Sequence, residues 1–491
     1  MSPLAIILFI LGYFVTLIII SRVTGRKGDN ASFFVGGRKS PWYVVAFGMI
    51  GSSLSGVTFI SVPGWVGSSQ FSYFQMVLGY IPGYMVVAFV LLPLYYRLNL
   101  TSIYTYLEQR FGRSAYKTGA SFFLLSRMLG SALRLYLVAV VLQLSVFDQL
   151  DMDVPFFVTV FITVLLIWLY TFRGGIKTII WTDTLQTAFM LLAVGISVYS
   201  ISSSLGLDAA GLVDTIDKSQ YSRIFFFDDA NDSKFFIKQF LAGMFITITM
   251  TGLDQDMMQK NLSCRNIRDA QKNMVSFTIV LVAVNLVFLS LGALLYIFAE
   301  AQGISIPEKT DELYPLLAVG GYLGPAVGML FVLGLIAAAY SSADSALTAL
   351  TTSFSIDVLE VDKLPEAEAA KKRKLVHIGM SVALMVVIMV FKWIDNPNVI
   401  SAVFTAAGYT YGPLLGLYAY GLFTKRKALD NAIPFIAIAS PILSFVLDYN
   451  SKAMFGGYEI GFEILLINGM ITFLGLWLSS FYTGRENPAS V

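Results

Sequence analysis

The chain has 491 residues, of which 56% are hydrophobic and only 13% charged, with a formal net charge of +2 and a mean hydropathy of +0.73. That balance lies outside the range of soluble globular proteins and reads as a polytopic membrane protein in a lipid bilayer, with no nucleic-acid partner expected. One histidine and one cysteine exclude an internal disulfide, a cysteine-based metal site and the paired-histidine constellation of an intramembrane enzyme, so no enzymatic activity is expected.

A hydrocarbon layer of about 30 Å takes roughly 20 helical residues to cross. Apolar runs of that kind recur near 3–20, 42–66, 71–94, 119–145, 155–172, 179–203, 236–257, 273–299, 322–356, 375–393, 399–423, 431–449 and 460–482, which predicts an all-α protein of about thirteen spans. The first run has no small-residue cleavage site at its end and is read as a retained helix. Most of the 33 Lys and Arg fall in alternate connecting segments, chiefly 21–41, 95–118, 357–374 and the stretch holding Lys260, Arg265, Arg268 and Lys272. Basic residues stay on the cytoplasmic side, so the N-terminus is expected outside and the C-terminus in the cytoplasm. The short tail and lack of added domains fit a bacterial inner membrane.

Ionisable and polar residues at membrane depth cost several kcal/mol unless they face a cavity or a partner, so the polar places within the spans carry the chemistry. The first is "GMIGSSLSGVTFISVPG", 48–64. Its glycines, serine pairs and Pro63 suit a broken helix whose freed carbonyls line a cavity or bind a ligand; close helix packing through small residues is the alternative. The second is "SRMLGSALRLYL", 126–137, where Arg127 and Arg134 share a face across Gly130. They either clamp an anion or bond groups of neighbouring helices. In "YTFRGGIKTIIWTDTLQ", 170–186, Asp183 lies about one turn inside the next span, deeper than a helix N-terminal charge requires.

Segment 204–235, with "FFFDDANDSKFF" near its end, is expected to fold as an outer cap with a short helix. Further on, "AAAYSSADSALTALTT", 337–352, places Ala338, Ser341, Ser342 and Ser345 on one helix face, with Asp344 and Thr348 at its margin. Hydroxyls with little charge suit a weakly held monovalent cation such as sodium better than Mg²⁺ or Ca²⁺. Serines bonding back to their own helix are the alternative, which leaves Asp344 without a purpose. His377, at the start of a span, is read as an interfacial residue.

These segments carry a resemblance. "LYTFRGGIKTIIWTDTLQ" and "GLIAAAYSSADSAL" resemble the two signature blocks of the sodium:solute symporter family, and "TGLDQDMMQKNL", 251–262, is similar to its motif on a second broken helix. The resemblance implies a leucine-transporter-like fold. Two inverted five-helix repeats, 42–203 and 236–423, would follow an extra helix at 3–20 and precede two appended helices at 431–482. It further implies a sodium site made by the carbonyls of Gly51, Leu54 and Ala338 and the hydroxyls of Ser341 and Ser342. A second site nearer the cytoplasm would use Asp183, Ser342 and Ser345. Asp344 stands where family members with that site have serine, as an added ligand or a proton-titrating substitute.

Substrate positions implied by the resemblance are Ser53, Ser55 and Thr58, then Phe74 and Gln75, then Thr405 and Tyr409, with Arg127 and Arg134 beside them. The aromatic gate of the sugar-transporting branch falls on Met250, which weakens a sugar reading. The arginine of the sialic-acid branch falls on Gly130, one turn from both Arg127 and Arg134. The expected function is a sodium-coupled symporter importing a small organic solute by alternating access, an anion such as sialic acid or another carboxylate. Sugar or amino-acid symport and a transporter-like sensor without coupling are the alternatives.

Overall fold

The computed structural model describes residues 3–24, 30–143, 147, 153–394 and 399–483. Among them the secondary structure is helical, apart from an isolated bridge between Ser40 and Cys264. The helices used below are α1 Pro3–Thr24, α2 Trp42–Ser53, α3 Gly56–Ser69, α4 Tyr73–Arg97, α5 Arg113–Leu142, α6 Phe156–Gly174, α7 Ile176–Ser204 and α8 Ala209–Asp217. They continue as α9 Phe236–Gly252, α10 Gln255–Leu262, α11 Ile267–Ala301, α12 Pro325–Ser353, α13 Glu366–Ile394, α14 Val399–Phe423, α15 Ile433–Tyr449 and α16 Ile464–Thr483.

Eight described helices are long and apolar enough to cross a membrane, or ten when each bent pair counts as one span. Leu11–Thr24 and Phe156–Thr171 are shorter apolar helices. The chain is therefore a multi-pass membrane protein. Its outer residues fit that medium: Phe435 is 76% exposed on α15, and Val386, Leu443 and Phe445 face outward with it. By contrast α12 is enclosed, with 83% of its apolar window buried against 22% for the window at α15.

Two spans are bent. α2 and α3 meet at 56°, and α9 and α10 at 64°. At the first bend Leu54 and Ser55 leave helical geometry, where the sequence offers Ser, Gly and no strong helix former. Glycine permits close packing there: a Cβ on Gly51 would collide with the Thr187 hydroxyl, and one on Gly56 would lie 2.6 Å from Val138. α7 packs against both α2 and α12, and α10 touches the same two helices. Four elements thus converge beside the first break.

The segment after α7 holds a short helix, as read from the sequence. α8 starts at Asp208, whose carboxylate accepts from the Gly211 N–H at 2.7 Å. Two sequence readings change. His377 is buried, with its ring nitrogens 3.1 Å from the Thr171 hydroxyl and 2.8 Å from that of Thr351, because α13 begins at Glu366, well before the expected span. Lys260, counted among the solvated cytoplasmic bases, is only 1% exposed. The basic residues Arg26, Lys27 and Arg485 lie outside the described residues.

Candidate ion and solute sites

A helix end leaves its last carbonyls without following N–H groups. At the end of α2 the Leu54 N–H still donates to the Ile50 carbonyl at 2.8 Å; the carbonyls of Gly51, Ser52, Ser53 and Leu54 come after the regular ladder stops. The serines of α12 meet this point. Ser342 donates its hydroxyl to the Ser52 carbonyl at 3.2 Å, and the Ser341 and Ser52 hydroxyl oxygens are 3.3 Å apart. Ala338 is buried one turn away on α12.

Asp183 of α7 lies behind these hydroxyls and is fully buried. Its Oδ1 accepts from Ser341 at 2.6 Å, and its Oδ2 accepts from Ser52 at 2.8 Å and from Ser345 at 3.5 Å. A hydroxyl that gives its proton to a carboxylate turns its lone pairs toward whatever lies on the other side. Asp183 thus fixes which way the Ser341 and Ser52 hydroxyls point, an arrangement compatible with oxygen ligation of a cation. Gln186, with its amide turned to suit its neighbours, donates to Asp183 Oδ1 at 3.2 Å.

Asp344, also fully buried, takes a separate set of partners: Tyr170 donates to its Oδ2 at 2.8 Å and Ser345 to its Oδ1 at 3.3 Å. Sequence reasoning missed the third charge. Lys260 Nζ on α10 lies 2.7 Å from Asp183 Oδ2 and also donates to the Ser52 hydroxyl. Two carboxylates face one ammonium here, so with both acids ionised the buried cluster is one positive charge short of neutrality. Among the described residues no group of three or more His, Cys, Asp or Glu could hold a metal ion.

A cavity of about 90 Å³ opens beside the first break, lined by Ser53, Ser55, Thr58, Tyr73, Arg127, Arg134, Met250 and Phe404 among others. The two arginines differ. Arg127 is 5% exposed and pairs with Asp256 and, at 3.7 Å, with Asp254. Tyr411 also donates to Asp254. This network ties α5 and α14 to the second break and uses up the Arg127 charge. Arg134 lines the same cavity with no hydrogen bond or ion pair to another described residue.

Other expected solute residues are placed elsewhere. Gln75 is buried outside the cavity, where it donates to the Lys234 carbonyl at 2.8 Å and accepts from the Phe226 N–H at 3.0 Å, tying the segment after α8 to α4. Tyr73 lines the cavity where Phe74 does not. Thr405 is exposed, and Tyr409 donates to Asp448 at 2.6 Å; Val403 and Phe404 take the inward positions. Consecutive helical residues are about 100° apart around the axis, so an error of one position turns a side chain off its site.

The fold has counterparts among solved structures. The chain superposes on a Na⁺-coupled sialic acid symporter in a substrate-bound outward-open state with a TM-score of 0.82 at 20% identity, over 97% of this chain and 98% of that one. It superposes on MHP1, a nucleobase-cation-symport-1 family transporter, with a TM-score of 0.60 at 13% identity, over 93% and 95% of the two chains. The model of the sodium:solute symporter family matches residues 33–433, and the chain belongs to that family. It is a symporter and not an enzyme. Relatives include the sodium/sialic acid symporters NanT of Aliivibrio fischeri, 24% identical over 91% of this chain and 88% of that protein, and SiaT of Proteus mirabilis, 25% identical over 94% and 93%. The human sodium/iodide cotransporter is 24% identical over 84% of this chain and 65% of its own length.

Proposed function

We propose that this protein imports a small anionic solute with sodium by alternating access, and that the Arg134 guanidinium receives the anion. Arg134, which lines the cavity and pairs with no other described residue, carries this reading. An isolated guanidinium at membrane depth is costly, and a carboxylate satisfies its fork of donors with two parallel bonds. Relatives named for sialic acid, iodide and monocarboxylates transport anions, which supports the same class of solute.

In this reading sodium binds the carbonyls of Gly51, Leu54 and Ala338 and the hydroxyls of Ser341 and Ser342, bridging the broken α2–α3 span to α12. Asp183 and Asp344, with the Ser345 hydroxyl between them, form the negative surroundings on the cytoplasmic side. Sodium thereby holds the first break in the shape that lines the solute cavity. Each ion moved inward across 100 mV contributes about 2.3 kcal/mol to accumulation, beyond its concentration gradient. The proposed frame is thirteen spans, with inverted repeats 42–203 and 236–423, the extra helix 3–20 and the appended pair 431–482. Its N-terminus is outside and its C-terminus cytoplasmic, in a bacterial inner membrane.

Uptake into proteoliposomes under an inward sodium gradient tests this, with N-acetylneuraminate, pyruvate, glucose and proline as solutes. A carboxylate without an amine should accumulate, and Arg134→Gln should lower its uptake at sub-saturating concentration by roughly 10- to 100-fold, the worth of a lost charge-assisted pair. Accumulation of glucose alone, or full activity in Arg134→Gln, would sink the anion reading.

A further inference from the structure

We infer that Lys260 is a tethered cation that neutralises Asp183 while the carrier is empty of sodium, and that entering sodium takes over this role. The inference rests on the sodium-coupled cycle of the family and not on the choice of solute.

The placement of Lys260 is unusual for its residue type. Lysine is almost never fully buried unless paired, yet its side chain is 1% exposed and lies on a short helix whose residues are all buried. Nζ is 2.7 Å from Asp183 Oδ2 and also donates to Ser52. Ser52 in turn donates to the same Asp183 oxygen at 2.8 Å and lies 3.3 Å from the Ser341 hydroxyl. The ammonium thus sits among the oxygens that surround the candidate ion ligands. Its own helix is fixed from both ends. Gln255 donates to the Thr101 carbonyl at 2.7 Å and accepts from the Ile103 N–H at 3.0 Å. Gln259 donates to the Thr352 hydroxyl at 3.0 Å and to the Phe34 carbonyl.

A sodium symporter must return to the outside without its ions. Without Lys260, Asp183 would then be a buried carboxylate with hydroxyl partners but no compensating charge, which costs several kcal/mol and would block the step. Lys260 supplies that partner from the second broken span to a group on α7 beside the first broken span. When sodium arrives at the first break and the α12 serines, two cations within one small group of oxygens repel each other. Sodium now compensates Asp183, and the ammonium is displaced. Sodium affinity is therefore set partly by competition with a side chain, and the bridge from α10 to α7 belongs to the ion-free state.

The test uses purified protein titrated with sodium chloride against choline chloride at constant ionic strength, read by thermal stability. Lys260→Gln keeps length and a donor but removes the charge. It should lower the melting temperature in choline and tighten half-maximal stabilisation by sodium at least threefold, because the competitor is gone. A sodium midpoint that is unchanged or weaker in Lys260→Gln overturns the inference, since a merely structural lysine or a sodium-site helper would give that result. If Lys260→Gln cannot be purified, Asp183→Asn with Lys260→Met decides the matter. With both charges removed, the empty state needs no tethered cation, so the double variant should be recovered in yield and melt in choline near the wild-type temperature. A double variant lost like the single one overturns the inference.

Discussion

The two broken spans use one device for opposite ends. At the first break the carbonyls after Ile50 are left to side chains of another helix, and Ser342 takes one of them. At the second the carbonyls are tied: Tyr95 donates to Gly252 at 2.8 Å and Tyr104 to Leu253 at 3.0 Å. Asp254 then caps α10 through the N–H groups of Asp256 and Met257, and Arg127 neutralises Asp254 and Asp256. A freed backbone in a membrane must find partners. Where the protein supplies side-chain donors, as at Gly252 and Leu253, the break is tied to its neighbours; where it withholds them, a cation can complete the set.

This contrast sets the size of the expected effects. Arg127→Met leaves two carboxylates of the second break without their cation, and loss of one partner from a buried ion pair costs about 3–5 kcal/mol. Poor recovery or a large fall in melting temperature, with sodium unable to restore it, is the expected result; a stable variant with normal sodium dependence would show that this joint is not held by charge. Tyr104→Phe leaves the Leu253 carbonyl buried without its donor, worth about 1–3 kcal/mol. Thermal or denaturant stability should fall by that amount while the sodium midpoint stays put. A shifted midpoint would mean that the second break also binds ion.

Ser342→Ala acts at the open break. Stability in choline should change little, whereas the sodium concentration for half-maximal stabilisation should rise about tenfold, equivalent to roughly 1.4 kcal/mol. An unchanged sodium curve would remove Ser342 from the ligand set and erase the distinction between the breaks.

Much of the first break was legible because its constraints are local. The run of Gly, Ser and Pro at 48–64 lacks the material for a continuous helix, and helical spacing alone gathers Ser341, Ser342 and Ser345 on one side of α12. The resemblance, not the spacing, set Asp183 beside Ser342 and Ser345. The second break was harder to read. "LDQDMMQKNL" looks like a solvated helix end, and counting bases by loop put Lys260 in water with its neighbours.

Composition and periodicity determined that the chain crosses a membrane as helices, and chemically distinctive motifs located the ion helix and the first broken span. Only the tertiary structure decided which charges are spent. It pairs Arg127 with two carboxylates and gives Arg134 none among the described residues, it turns Phe404 inward and Thr405 outward, and it carries Lys260 to Asp183, a residue 77 positions away in the chain. The physical reason is that an apolar span or a helix face is a property of neighbours along the chain, whereas the cost of a buried charge depends on a partner brought by another helix.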